Sequence, residues 1–142
     1  MSDFNSNLID QIRAGNGRLT DGPFAGRQVL VLTTTGAKSG EKRETPLVYS
    51  RDGDDIVIIA SMGGAPNHPA WYHNIVADPR VTIEVGGAPI EATAWIAQGP
   101  ERRRLYDQHA ELHESFNEYE AKTGGRVIQV ILLRRVAASA AA

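Results

Sequence analysis

Two segments of the chain carry side chains that could do chemistry, and the first is residues 34–43. Two glycines in this short stretch allow backbone N–H groups to converge into a nest, a geometry that favours anions. Lys38, Ser39 and Arg43 add side-chain donors that suit a phosphate, and a guanidinium can bind such a group through two parallel hydrogen bonds. The segment therefore predicts an anion site, and a polar hairpin turn with solvated bases is the alternative.

The second segment is residues 60–74, where an apolar strand meets a loop rich in glycine, proline and asparagine. The strand delivers Ser61 to a pair of glycines, where the backbone can lie close to a flat ring. Trp71 and Tyr72 follow on a predicted helix, so that small residues and aromatic rings would form the two walls of a slot. A connecting loop followed by a helix with core aromatics explains the segment equally well.

The four histidines give little support for a metal site. His109 and His113 lie four residues apart on a predicted helix, a spacing that can bind a metal. The chain has no HExxH sequence and no obvious third ligand nearby, so we predict a surface helix and no metal. We expect His68 and His73 to make hydrogen bonds where the loop meets the helix. No Ser-His-Asp order or GxSxG motif appears, which leaves hydrolysis without support.

The composition limits the classes of function. The 142 residues suffice for one domain with its own core, and we treat residues 1–142 as a single domain. Lys and Arg number 15 against 17 Asp and Glu, and this near-balance argues against a nucleic-acid partner. The absence of cysteine excludes disulfides, thiol catalysis and cysteine-bound metals. Without a signal-like start or an apolar run near the ~20 residues that span a bilayer, the prediction is a cytoplasmic protein.

Residues 1–20 are predicted to form an amphipathic helix and a linker. Phe4, Leu8, Ile9 and Ile12 recur at helical spacing before two glycines stop the pattern. The polar face has Arg13 as its one base, so we expect the helix to pack on its own domain, with peripheral membrane contact as the alternative. The alanine-rich tail at 137–142 has nothing to bury and is expected to fray.

Six runs of apolar or β-branched residues predict strands, and the turns between them favour antiparallel hairpins. Helices are predicted at 69–78 and at 99–113, the latter extended or restarted to 119. This order suits a mainly β fold with helices (α+β), a split or closed small barrel of about six mostly antiparallel strands. No GxGxxG follows a strand, so a Rossmann site has no support. The predicted strands are 28–35, 45–51, 56–60, 81–85, 90–97 and 127–133.

Taken together, the two polar segments resemble a known family. The first reads LTTTGxKSGxxRxxPL over residues 32–47, and the second reads SxGGAPxHPxWYHN over residues 61–74. Asp78 and Pro79, followed by a strand that ends at two glycines, fit as well. These features resemble the deazaflavin-dependent nitroreductase family of actinobacterial F420H2-dependent quinone reductases, and the resemblance covers residues 25–135.

The resemblance implies a split β-barrel related to FMN-binding barrels, with coenzyme F420 as the cofactor. It implies that Lys38, Ser39 and Arg43 hold the F420 phosphate and the start of its glutamate tail. Trp71 and Tyr72 would close the pocket near the reacting face. The residues implied to line the deazaflavin ring are Thr45, Pro46, Ala60, Ser61, Met62 and Gly63.

The resemblance also implies an enzyme that transfers a hydride from reduced F420 to an organic acceptor such as a quinone or a nitro compound. Ser61 is the candidate for polarising the acceptor or the ring. Tyr119 and His113 are the candidates for supplying a proton to the reduced product. Trp71, Phe116 and Tyr119 would line the acceptor pocket.

Two departures from the family pattern bear on the acceptor. Met62 stands where relatives often carry a lysine, which removes one polar contact with the cofactor. His113, Phe116 and Tyr119 stand where the best-studied type of relative carries three tyrosines. We therefore expect quinone reduction to persist and nitroimidazole reduction to be weak or absent.

Three alternatives remain beside this interpretation. The first is FMN in place of F420, because the same class of barrel accommodates it. The second is a non-enzymatic carrier of F420 or of a fatty acid, and the third is a plain structural domain. Monomer and homodimer are both compatible with the sequence.

Overall fold

The computed structural model of the protein describes residues 2–15, 29–61, 64 and 67–136. The predicted linker at 16–20 and the predicted frayed tail at 137–142 lie outside these residues. The described part of the chain contains four helices and seven strands. In chain order these are α1 Ser2–Ala14, β1 Val29–Thr35, β2 Lys42–Val48, β3 Ser50–Asp52, β4 Asp55–Ile59, α2 Ala70–Ala77, β5 Arg80–Glu84, β6 Ile90–Ile96, α3 Gly99–Leu112, α4 Phe116–Lys122 and β7 Val130–Arg135.

The strands form one antiparallel sheet in the order β2-β1-β5-β6-β7-β4-β3. Strands β2 and β3 lie at opposite ends of this order, yet Tyr49 alone separates them in the chain. The sheet must therefore roll up until its two edges approach each other. This confirms the predicted mainly β split barrel, with seven strands rather than about six.

The additional strand comes from the predicted strand at 45–51, which the structure divides at Tyr49. The part before Tyr49 pairs with β1, and the part after it pairs with β4. The carbonyl oxygen of Tyr49 accepts a hydrogen bond from His113 Nε2 at 3.0 Å. Because a helix supplies this bond, the backbone can change partner strands without leaving a buried carbonyl unpaired.

Each face of the sheet carries its own hydrophobic core, because side chains alternate between the faces along a strand. In β1, Val29 and Val31 face the helices, while Leu30 and Leu32 face the barrel interior, and all four are buried. This explains why β1 is a continuous apolar run. The outer core adds residues of α1, α3 and α4, and the inner core adds Trp71 and Ile75 of α2.

Helix α1 packs on the outer core through Leu8, Ile9 and Ile12, as its spacing predicts. The expectation of a helix packed on its own domain is confirmed for these three residues. Phe4 also belongs to the predicted apolar face, but its side chain lies outside the described residues. Among the helices that the structure describes, none is long and apolar enough to cross a membrane.

Candidate functional site

The turn between β1 and β2 is closed by its own backbone. Gly36 N–H donates to the Glu41 carbonyl at 2.7 Å, and Gly40 N–H donates to the Gly36 carbonyl at 2.9 Å. Gly40 has φ +73°, a left-handed conformation that glycine adopts without steric cost. A Cβ on Gly36 would lie 2.6 Å from Ser39 Oγ and 3.2 Å from the Glu41 carbonyl oxygen, so both glycines suit the geometry of the turn itself.

The predicted backbone nest does not form from the turn's glycine amides. Besides those two groups, Glu41 N–H donates to Ser39 Oγ at 3.1 Å and Ala37 N–H donates to Asn74 Oδ1 at 3.0 Å. Four N–H groups of the turn are thus already satisfied within the protein. The exposed side chains of Lys38 and Arg43 supply positive charge that would attract an anion to this turn.

Asn74 fixes helix α2 against this turn. Its Oδ1 accepts the Ala37 bond, and its Nδ2 donates to Thr34 Oγ1 at 3.1 Å. Both Asn74 and Thr34 are buried, so these bonds are shielded from competition with water. Asn74 is the last residue of the second sequence motif, and no role was predicted for it. The available signal was its position three residues after Trp71, which places both side chains on one face of a helix.

A cleft of about 750 Å³ opens between the β1–β2 turn and α2. It brings together five of the predicted cofactor residues: Lys38, Ser39, Arg43, Thr45 and Trp71. The two polar segments of the sequence, 34–43 and 60–74, thus meet in one place. The remaining lining residues are Gly36, Ala37, Glu44, Ala70, His73 and Asn74.

The other described residues predicted to bind the cofactor are not in the lining of the cleft. Pro46 is half-buried in β2, and Ala60 and Ser61 are buried where β4 ends. Tyr72 is half-buried, and its ring lies 4.7 Å from that of His68. Tyr72 therefore turns away from its neighbour Trp71, as consecutive helical residues do. Met62 and Gly63 lie outside the described residues.

Arg126 holds the end of β4 in place. Its guanidinium donates to the carbonyl of Ala60 at 2.9 Å, to the carbonyl of Ser61 at 2.7 Å and to His68 Nδ1 at 3.2 Å. His68 must accept this bond, so its ring is neutral. Burial lowers the pKa of His68, and the positive charge of Arg126 and the nearby His73 lower it further. The role of Arg126 was not predicted, because an arginine that follows two glycines gives no local sequence signal for such a contact.

Gly64 lies against helix α4. Its φ is +85°, and a Cβ there would lie 2.8 Å from Lys122 Cβ and 2.9 Å from the Tyr119 carbonyl oxygen. Any other residue would be strained in conformation and would collide with the helix. The small size of Gly64 therefore allows this close contact with the backbone of Tyr119.

The predicted surface position of His109 and His113 is wrong, because both side chains are buried. His109 Nδ1 is hydrogen-bonded to Ser50 Oγ at 2.8 Å, and His113 bonds the Tyr49 carbonyl. The two histidines thus tie α3 to the crossover between β2 and β3. Burial, with a smaller contribution from His113, lowers the pKa of His109 to about 3.

Phe116 continues this buried row of rings. Its ring centroid lies 4.6 Å from that of His109 and 4.8 Å from that of the half-buried Tyr119. We refer to His109, His113, Phe116 and Tyr119 as the aromatic row. The structure places none of these four in the lining of the cleft. Within the described residues, no group of three or more His, Cys, Asp or Glu side chains is arranged to hold a metal.

Comparison with known proteins identifies the family. The sequence pattern of F420H(2)-dependent quinone reductases matches residues 7–135. The chain belongs to this family. It is 39% identical over 132 residues to an F420H(2)-dependent quinone reductase of Mycobacterium tuberculosis strain H37Rv, and the match covers 90% of this chain and 89% of that protein.

Two solved structures extend the similarity to the fold. A structure described as an F420-H2 dependent reductase (FDR-A) has a TM-score of 0.68 and 36% identity, covering 75% of this chain and 93% of that one. A second, described as a domain-swapped dimer, has a TM-score of 0.70 and 33% identity, covering 94% and 98% of the two chains. The seven-stranded half-barrel is thus the fold of this family.

The cleft fits coenzyme F420, the cofactor of the family. Its volume is within the range of about 300–1,000 Å³ that is usual for small-molecule sites. Lys38, Ser39 and Arg43 provide donors for a phosphate on one wall, and Trp71 provides an aromatic surface on the other. Arg43 is partly engaged by Glu41 at 3.4 Å, but both side chains are exposed, so that this pair is weak and can be exchanged.

Proposed function

We propose that this F420H2-dependent oxidoreductase reduces a quinone-type acceptor, with F420 held in the cleft between the β1–β2 turn and α2. The observation that carries the proposal is the Asn74 bridge. It holds the wall that bears Lys38 and Arg43 at a fixed position relative to the wall that bears Trp71. A phosphate donor set and an aromatic platform at fixed separation suit a cofactor that has both an anionic tail and a flat ring.

Reduced F420, when bound, supplies a hydride, so the hard chemistry belongs to the cofactor. The protein has to bind and orient it. Lys38 and Arg43 would form charge-assisted hydrogen bonds to the phosphate, which are stronger than bonds between neutral groups. Trp71 is 6% exposed and packs in the inner core, so its ring is held by the barrel and offers a rigid surface to the cleft.

Ser61 and Tyr119 are the proposed groups that act on the reacting atoms. The Arg126 clamp supports the role of Ser61, because it holds the Ser61 backbone at the end of β4. The contact of Gly64 with α4 supports the role of Tyr119, because it fixes the backbone of Tyr119 against Gly64, three residues after Ser61. We assign His113 and Phe116 a different role from the predicted one. Their burial favours support of α4 over proton transfer or acceptor binding.

The test of catalysis is steady-state oxidation of F420H2 with menadione as acceptor. Ser61→Ala and Tyr119→Phe should each lower kcat by roughly 10–1,000-fold, with little change in F420 affinity, because such groups act mainly on developing charge. Ser115→Ala is the matched control, since Ser115 makes no side-chain capping bond at the start of α4. Unchanged turnover in both variants would contradict the roles of Ser61 and Tyr119.

Two alternatives are separated by simple measurements. A non-enzymatic carrier of F420 or of a fatty acid would give no turnover of F420H2 with any acceptor. An FMN-dependent reductase would release a ligand with the absorbance of FMN when the purified protein is denatured. The proposal expects turnover with menadione and no affinity for FMN comparable to that for F420.

We also propose a homodimer as the assembly state. A relative at 33% identity that covers nearly the whole chain is described as a domain-swapped dimer. Light scattering should give a mass near twice 15.4 kDa, and a mass near 15.4 kDa would contradict the proposal. Location in the cytoplasm, with or without peripheral membrane contact, stays a prediction.

A further inference from the structure

Arg13 links helix α1 to two strands through charged groups. Its Nε and Nη2 donate to the two carboxylate oxygens of Glu84 at 2.8 and 2.7 Å. Its Nη2 also donates to Glu44 Oε2 at 2.5 Å. One guanidinium is thus shared between a carboxylate on β5 and a carboxylate on β2.

The negative charge of Glu44 is unfavourable for binding an anion nearby. It lines the same cleft as Lys38 and Arg43, in which the enzyme has to hold an anionic cofactor. If Arg13 did not pair with it, the carboxylate of Glu44, one residue from Arg43, would repel a phosphate bound in the cleft. Charges at a protein surface interact over a Debye length of about 10 Å at 0.1 M salt, which is comparable to the size of the cleft.

We propose that Arg13 is a positioning residue for cofactor binding, which neutralises Glu44 and holds its carboxylate away from the bound anion. The inference rests on the proposed location of F420 in this cleft. It makes the N-terminal helix part of the cofactor site, although α1 contributes no residue to the cleft lining among the described residues. The effect on the cofactor is electrostatic and passes through Glu44.

The alternative is that Arg13 only anchors α1. The helix also packs through Leu8, Ile9 and Ile12, so its docking does not depend on Arg13 alone. Glu84 distinguishes the two accounts, because it accepts two of the three Arg13 bonds and does not line the cleft. Removing the charge of Glu84 weakens the anchor but leaves Arg13 free to neutralise Glu44.

The experiment is titration of the intact protein with F420 at about 0.01 M salt, where screening is weak. Arg13→Gln should raise the Kd by about two- to fivefold, the size of one partly exposed charge pair. Glu44→Gln should bind F420 as well as wild type or better. The double variant Arg13→Gln/Glu44→Gln should recover the affinity of Glu44→Gln, and Glu84→Gln should stay within about twofold of wild type.

Thermal unfolding of each variant provides a readout independent of the cofactor. Equal losses of affinity in Arg13→Gln and Glu84→Gln, without recovery in the double variant, would show anchoring alone and overturn the inference. An unchanged Kd in Arg13→Gln would overturn it as well. Lys38→Ala is the reference for the site: a normal Kd in that variant would contradict the location of F420 itself. If Lys38→Ala raises the Kd for F420 and Arg13→Gln leaves it unchanged, the inference about Arg13 is overturned, whereas the location of F420 in the cleft is not.

Discussion

The resemblance assigned both the cleft and three members of the aromatic row, His113, Phe116 and Tyr119, to the active site, and the two regions differ in exposure. Lys38 and Ser39 of the β1–β2 turn and Arg43 at the start of β2 are exposed. His113 and Phe116 are buried and hold α3 and α4 against the sheet. Their burial therefore favours a structural role for these two residues, whereas the resemblance implied a functional one.

This difference in exposure follows from the different task of each region. In the proposed function the cleft admits a charged ligand, which agrees with its exposed donors, and the buried bonds of Asn74 hold its two walls together. The aromatic row has to close the gap at Tyr49, where the chain changes partner strands, so its rings are packed and bonded. Substitutions in the cleft should change ligand affinity, whereas substitutions in the row should change the free energy of unfolding.

The largest effect is expected at Phe116. Phe116→Ala should lower the free energy of unfolding by about 3–5 kcal/mol, because it removes a buried ring and leaves a cavity. Urea unfolding measures this, and Phe116→Leu, which keeps most of the volume, is the control. At temperatures where the variant is folded, its Kd for F420 should stay near the wild-type value. A large loss of affinity with unchanged stability would place Phe116 in the ligand site after all.

For Lys38 and Arg43, the two bases of the cleft, we expect a loss of F420 affinity without a loss of stability. Lys38→Ala and Arg43→Ala should each weaken F420 binding by about 1.5–3 kcal/mol, the usual scale for hydrogen bonds to charged groups. Their stability should stay close to that of wild type, and the loss should shrink as salt rises. Arg104→Ala is a matched control, since this exposed arginine pairs with Asp52 away from the cleft. Wild-type affinity in both cleft variants would mean that the phosphate binds elsewhere.

The pH dependence of stability should come from the aromatic row. The pKa of His109 in the folded protein is about 3, below the ordinary value, so the unfolded chain binds the proton more readily. This group's contribution to stability is complete above about pH 6.5 and is lost as pH falls toward 3. Between pH 7.5 and 5 the loss should be about 2 kcal/mol in urea unfolding. His109→Gln should show a shallower decline, and an identical decline would contradict the assignment to His109.

Much of the fold was predictable from sequence, because it depends on local patterns. Alternation in β5 and β6 and the apolar runs in β1 and β4 each indicate strands without knowledge of the partner. The break at Tyr49 was not predictable, because nothing in residues 45–51 marks it. The break depends on a hydrogen bond from His113, which is 64 residues away in the chain.

The candidate site likewise has residues that were predictable from sequence and residues that were not. Lys38, Ser39, Arg43 and Trp71 were predicted as ligand residues because donors and aromatic residues in ordered motifs indicate a ligand, and the structure places all four in one cleft. Asn74 and Arg126 were not given roles, because they act by holding other backbone segments, and such bonds appear only in the folded chain. His113 was misplaced for a related reason: its spacing was compatible with both faces of a helix.

The most direct test of the central claim is a two-dimensional NMR titration of the ¹⁵N-labelled protein with F420. The chain has two tryptophans, Trp71 in the cleft and Trp95, which is 57% exposed on β6. Their indole N–H signals therefore report on two places at once. F420 should shift the Trp71 indole and the amides of residues 36–45 and 70–74 in a saturable manner, and the Trp95 indole should stay in place. Shifts confined to α3, α4 and Trp95, with residues 36–45 unchanged, would contradict the location of the cofactor in the cleft.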